Sequence, residues 1–121
     1  MELFSVVVFQ PDASTAQILA ENLSQCARSV HLARTCEEIR PSIALYRAEV
    51  LVLDLENSCL NEVKRLHREF PSLSIVCTHR LADEELWTEA VNQGAADMCE
   101  ARNSHDILRS VMRERAHHAA A

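Results

Sequence analysis

Hydrophobic and polar positions alternate along this chain in blocks of two kinds. Short runs of β-favouring aliphatic residues are separated by longer stretches in which apolar residues recur every three or four positions. The runs Phe4–Phe9 and Val50–Leu55 are nearly all apolar, and they read as strands buried on both faces, as in a parallel sheet. Shorter runs at Val30–Ala33, Leu73–Thr78 and Ala96–Cys99 complete five expected strands.

The intervening stretches predict helices. The first opens at Asp12 or Ser14 and runs to about Gln25, with Ala16, Leu19, Ala20 and Leu23 on one face. The second opens at Thr35-Cys36-Glu37-Glu38, which has capping-box spacing, and runs to about Tyr46; Pro41 inside it is expected to kink or split it. The third spans Cys59 to Phe70, with Leu60, Val63, Leu66 and Phe70 inward, and Pro71 stops it. The fourth is capped by Asp83, carries Leu86, Trp87, Ala90 and Val91, and ends at Gly94. The last is capped by Asn103 or Ser104, with Ile107, Leu108, Val111 and Met112 inward. Residues 1–116 are expected to form one domain, and 117–121 a tail or linker stub. Five βα units predict a doubly wound five-stranded parallel α/β sheet with helices on both faces.

Composition narrows the function classes. The 121 residues are 48% hydrophobic, enough for a real core. A net charge of −6, with scattered basic residues, disfavours direct nucleic-acid binding. No apolar run approaches membrane-spanning length, and the N-terminus lacks the basic region of a signal peptide. The five cysteines (Cys26, Cys36, Cys59, Cys77, Cys99) show no C-x-x-C pair. Reduced thiols and a cytoplasmic location are expected.

Chemistry belongs at the C-terminal edge of such a sheet. The residues there are Gln10, Pro11 and Asp12 after the first strand, Asp54 after the third, Thr78 after the fourth and Glu100-Ala101-Arg102 after the fifth. Asp54 suits a phosphate acceptor or a metal ligand, or it caps nearby backbone N–H groups or pairs with Arg102.

Leu51-Val52-Leu53-Asp54, Ile75-Val76-Cys77-Thr78 and Gly94-Ala95-Ala96-Asp97, in that order and spacing, resemble the receiver domain of bacterial response regulators over Phe4 to Arg115. The resemblance implies a flavodoxin-like fold with strand order 2-1-3-4-5, and a signalling domain rather than an enzyme. It makes Asp54 the candidate phosphoacceptor for a histidine kinase and Thr78 the candidate switch hydroxyl.

Three departures accompany the resemblance. Gln10 and Pro11 stand where the family has an Mg²⁺-binding acidic pair, leaving Asp12 and Asp54 as the candidate metal ligands. Ala101 stands at the phosphate-pairing lysine, and Met98 at the switch aromatic. The segment after Asp54 is also short and lacks a Pro-Gly turn. Phosphoryl transfer relies on metal ions and fixed cations, so weak or absent phosphorylation and weak Mg²⁺ binding are expected, with no other cofactor.

The leading expectation is therefore a pseudo-receiver of a two-component phosphorelay system that works through protein contacts. The alternative is a conventional phosphoacceptor using Asp12 and Arg102 as substitutes. A flavodoxin-like enzyme or cofactor carrier is disfavoured because Gln10–Thr15 has no Gly. Expected partners are a histidine kinase or an effector domain. The resemblance also implies a possible homodimer through the fourth helix, fifth strand and fifth helix, presenting Trp87, Met98, Arg109 and Arg113. Trp87 is alternatively a partly buried core residue.

Overall fold

Each aliphatic run becomes a strand, and each periodic stretch becomes a helix. A computed structural model describes the backbone of residues 4–120 and the side chains of residues 4–114. The order is β1 (Ser5–Phe9), α1 (Ala13–Leu23), β2 (Ser29–Ala33), α2 (Cys36–Tyr46), β3 (Val50–Asp54), α3 (Leu60–Glu69), β4 (Ser74–His79), α4 (Glu84–Asn92), β5 (Asp97–Glu100) and α5 (Ser104–Ala120). The strands form one parallel sheet in the order β2-β1-β3-β4-β5. Among the described residues no helix is long and apolar enough to cross a membrane.

The period-2 alternation of strand side chains sorts the core into two layers. Val7, Phe9, Leu51, Leu53, Ile75, Cys77 and Met98 pack with Ile39 and Ile43 of α2, Val63 and Leu66 of α3 and Ala90 of α4. Val6, Val8, Val50, Val52, Val76 and Cys99 pack with Leu19 and Leu23 of α1 and Ile107 and Val111 of α5. The central strand β3 is buried at all five positions, as its unbroken apolar run requires.

Several helix ends follow from local chemistry. Asp12 caps α1 by accepting from Thr15 N, and Asp83 caps α4 by accepting from Leu86 N. Gly94 closes α4 with φ 115°; its N–H donates to Val91 O, and Ala95 N donates to Ala90 O. These two bonds form a Schellman turn. A Cβ at Gly94 would sit 2.6 Å from His67 Cγ of α3. Both the dihedral and the close approach therefore require the glycine.

Some expectations need correction. Pro41 does not split α2, which is one continuous helix. Pro41 and Glu37 are both exposed, so the carbonyl that loses its N–H partner lies on the water side of the helix. Thr35 makes no side-chain cap, and Glu38 reaches back to Arg34 N rather than Thr35 N. Helix α1 ends at Leu23, short of the expected Gln25, and α5 runs from Ser104 to Ala120. Met112, expected inward, faces outward at 42% exposure, so the inward face of α5 is narrower than the sequence pattern implies; Trp87 and Val91 of α4 are exposed at 44% and 37%.

Candidate functional site

The sheet delivers Asp54 to the C-terminal tip of β3, beside Thr78 of β4, its register partner. Both are buried polar residues, with Asp54 at 0% exposure and Thr78 at 2%. Leu55 N donates to Thr78 O at 2.8 Å, carrying the ladder one step past the strand.

The loop after β3 then folds back over the Asp54 carboxylate. Glu56 N donates to Oδ1 at 3.3 Å, and Asn57 Nδ2 donates to Oδ2 at 2.8 Å. Ser58 Oγ donates to the Asp54 carbonyl at 2.7 Å. Glu56 reaches across to Arg80 at 3.2 Å, tying the loop to the segment after β4. A buried carboxylate needs such donors. Here they are a main-chain amide and a neutral carboxamide from its own loop. Among the described residues no Lys or Arg pairs with Asp54, and Arg102 does not meet it.

Asp12, the other candidate metal ligand, is committed elsewhere. Its Oδ2 accepts from Thr15 N at 3.0 Å, from Ser14 Oγ at 3.1 Å and from Thr15 Oγ1. The Thr15 hydroxyl, the Thr15 N–H and the Ser14 hydroxyl hold its carboxyl below the usual aspartate range, and Arg102 adds a smaller pull in the same direction. Gln10 Oε1 accepts from Asp12 N at 3.0 Å. Ala101 is nearly buried and donates its N–H to His79 O. Among the described residues no group of three or more His, Cys, Asp or Glu side chains is placed to hold a metal ion.

The four interface candidates divide. Trp87 is exposed, whereas Met98 is 8% exposed and belongs to the core layer under α4. Alternation decides this: in β5, Met98 points to the α2–α4 layer while Cys99 points to α1 and α5. Arg109 pairs with Asp106 at 3.5 Å on the surface of α5.

Arg113 is drawn into a cluster that the sequence reading missed. Its centre is Asp97. Asp97 Oδ2 accepts from Ser110 Oγ and Arg113 Nη2, each at 2.7 Å, and Oδ1 accepts from Met98 N at 2.8 Å and Trp87 Nε1 at 3.3 Å. Burial pushes the Asp97 carboxyl up, but the bonds from Ser110, Met98 N, Trp87 and Arg113 outweigh it and hold the carboxyl below its ordinary value. One carboxylate thus clamps α4, β5 and α5 together. The available signal was a carboxylate at the start of a half-buried strand, four residues before Ala101. Asn57 and Ser58 were likewise missed, because a loop's return onto its own strand leaves no periodic trace.

No protein-family model matches the chain, and no curated protein matches it. Solved structures do. A response regulator from Thermotoga maritima superposes with a TM-score of 0.85 at 19% identity, covering 93% of this chain and 98% of that one. The signal receiver domain of a DNA binding response regulator from Colwellia psychrerythraea 34H gives 0.83 at 13% identity, covering 94% and 98%. The BeF3-activated DrrB receiver domain gives 0.81 at 21% identity, covering 95% and 99%. With five parallel strands in the order β2-β1-β3-β4-β5 and five helices divided over the two faces, the chain has the fold of response regulator receiver domains.

Proposed function

We propose that this chain is a receiver-like signalling domain that works by protein–protein contact, with phosphorylation of Asp54 weak or absent. One observation carries the reading: Asp54 is fully buried, and both of its carboxylate oxygens are held by its own loop rather than by a cation. An acceptor aspartate must present an oxygen to the incoming phosphorus, beside positive charge that stabilises the transferring group. Here the loop must first open. The side chains nearest in role supply no charge: Ala101 is apolar, and Gln10 and Pro11 are neutral.

Mg²⁺ fits this donor set poorly. It keeps near-octahedral oxygen geometry and binds through one or two carboxylates. Asp54 already accepts from Glu56 N and Asn57 Nδ2, and Asp12 Oδ2 caps α1, so an ion would compete with these donors for the same carboxylates. No step is assigned to the metal.

The contact surface is centred on α4. Leu81, Trp87 and Val91 are large apolar residues exposed there, and the Asp97 clamp fixes α4 against β5 and α5. An apolar centre with a charged rim suits a protein partner such as a kinase or an effector domain, or a second copy of the chain.

A second reading has one observation in its favour. Asp54 and Thr78 are direct register partners at the sheet edge, the juxtaposition that a phosphoacceptor and a switch hydroxyl need. A conventional receiver would then use Asp12 and Arg102 as substitutes. Intact mass after incubation with acetyl phosphate and Mg²⁺ separates the two. The first reading expects no phosphoryl adduct, and a stoichiometric adduct lost in Asp54→Asn establishes the second.

A further inference from the structure

The loop that closes Asp54 also touches a thiol. Cys36, the first residue of α2, donates its Sγ–H to Asn57 O at 3.5 Å. Asn57 is the residue whose side chain holds Asp54 Oδ2. Two residues further on, Cys59 is the N-cap of α3, and its side chain makes no cap hydrogen bond. Cys36 and Cys59 are the two exposed thiols, whereas Cys26 is half-buried and Cys77 and Cys99 are buried. Burial pushes the Cys77 thiol up to about 12 and the Cys99 thiol up to about 11, which makes both inert.

We infer that Cys36 and Cys59 form an oxidisable pair whose disulfide ties the start of α2 to the loop covering Asp54. Two features of the geometry carry this. Both sulfurs belong to helix starts at the same C-terminal sheet edge. Both border the short Leu55–Cys59 segment, one through its contact with Asn57 O and the other by chain connection. Burial, then Glu62 and Glu37, then Cys59 itself push the Cys36 thiol up.

The oxidant class is a small-molecule disulfide such as oxidised glutathione. One of the two cysteines attacks as its thiolate, forming a mixed disulfide and releasing one glutathione thiolate. The other gives up its proton to water and attacks the protein-side sulfur of that mixed disulfide. The Cys36–Cys59 bond forms, and the second glutathione leaves as thiolate. Two protein thiols are oxidised, and one glutathione disulfide is reduced to two thiols. The inference goes beyond the proposed function and stands whether or not Asp54 accepts a phosphoryl group.

The test is incubation of the folded chain in reduced and oxidised glutathione buffer, followed by acid quench, alkylation, intact mass and peptide mapping. The expected result is loss of two of the five thiols, with one cross-link joining the Cys36 and Cys59 peptides. Cys36→Ser and Cys59→Ser should each lose that cross-link. Amide exchange across the loop should slow in the oxidised wild type and stay unchanged in both variants. The mapping on wild type stands alone should either variant fold poorly. Thiols that both remain alkylatable, stable mixed disulfides at either position, or pairing with Cys26 or with another chain would overturn the inference. A Cys36–Cys59 disulfide that leaves loop exchange unchanged overturns its connection to Asp54.

Discussion

Replacing Asp97 with Ala removes the acceptor for four N–H and O–H donors at once, besides the weaker Cys99 thiol, and the structure allows the cost to be worked out. Ser110 is 3% exposed and donates a 2.7 Å bond to a charged acceptor; such a bond contributes about 1.5–2 kcal/mol. The bond from Met98 N contributes about 1 kcal/mol. The Trp87 bond is long, and Arg113 is 56% exposed, so each adds only about 0.5 kcal/mol. Burying the carboxylate offsets part of the sum. The expected net loss is about 2–3 kcal/mol, or roughly 10 °C in Tm for a domain of this size. Asp97→Asn keeps one acceptor oxygen and should lose about half as much.

The pH dependence supplies an independent check. The folded carboxyl titrates below its unfolded value, so its contribution is full above the unfolded pKa of about 3.9. It fades as pH falls through the folded pKa. Chemical denaturation of wild type and Asp97→Ala should therefore show a gap that is constant near neutral pH and closes in acid. A loss below about 0.5 kcal/mol at neutral pH, the scale of an ordinary surface change, would refute the reasoning. So would a gap that does not narrow in acid.

Three further outcomes are expected. Gly94→Ala should destabilise by about 2–4 kcal/mol, because its φ of 115° and the 2.6 Å approach to His67 both oppose a side chain; pairing it with His67→Ala should recover only the steric part in thermal melts. Asp54→Asn keeps an oxygen facing Asn57, so its Tm should stay close to wild type and in-cell signalling should persist, whereas a well-folded null would favour the phosphoacceptor reading. Mg²⁺ titration followed by Trp87 fluorescence or NMR shifts should show binding no tighter than millimolar, and saturation well below that at the Asp54 edge would contradict the committed roles of Asp12 and Asn57.

The strands were legible because a parallel sheet buries both faces, which makes Val50–Asp54 and Ser5–Phe9 conspicuous in any reading of the residues. The helix starts at Asp12 and Asp83 were legible because a short carboxylate before a periodic stretch has one dominant use. The errors arose where a residue's neighbours are distant in sequence. Met98 was expected on the surface and lies in the core, because strand alternation turns it toward α4. Trp87, named as an interface candidate, is exposed and donates its indole N–H to Asp97 at 3.3 Å. At the candidate site, the sequence placed Asp54 and Thr78 side by side at the sheet edge. It did not reveal that Asn57 and Ser58 fold back to close the carboxylate, since that return depends on loop geometry.

The most direct test of the central claim, that Asp54 is shut by its own loop and accepts phosphate poorly, is the intact mass of wild type beside Asn57→Ala after timed incubation with acetyl phosphate and Mg²⁺. The account predicts no adduct on wild type, and a slow adduct on Asn57→Ala once the carboxamide over Asp54 Oδ2 is removed. Rapid, stoichiometric phosphorylation of wild type that Asn57→Ala does not change would contradict it.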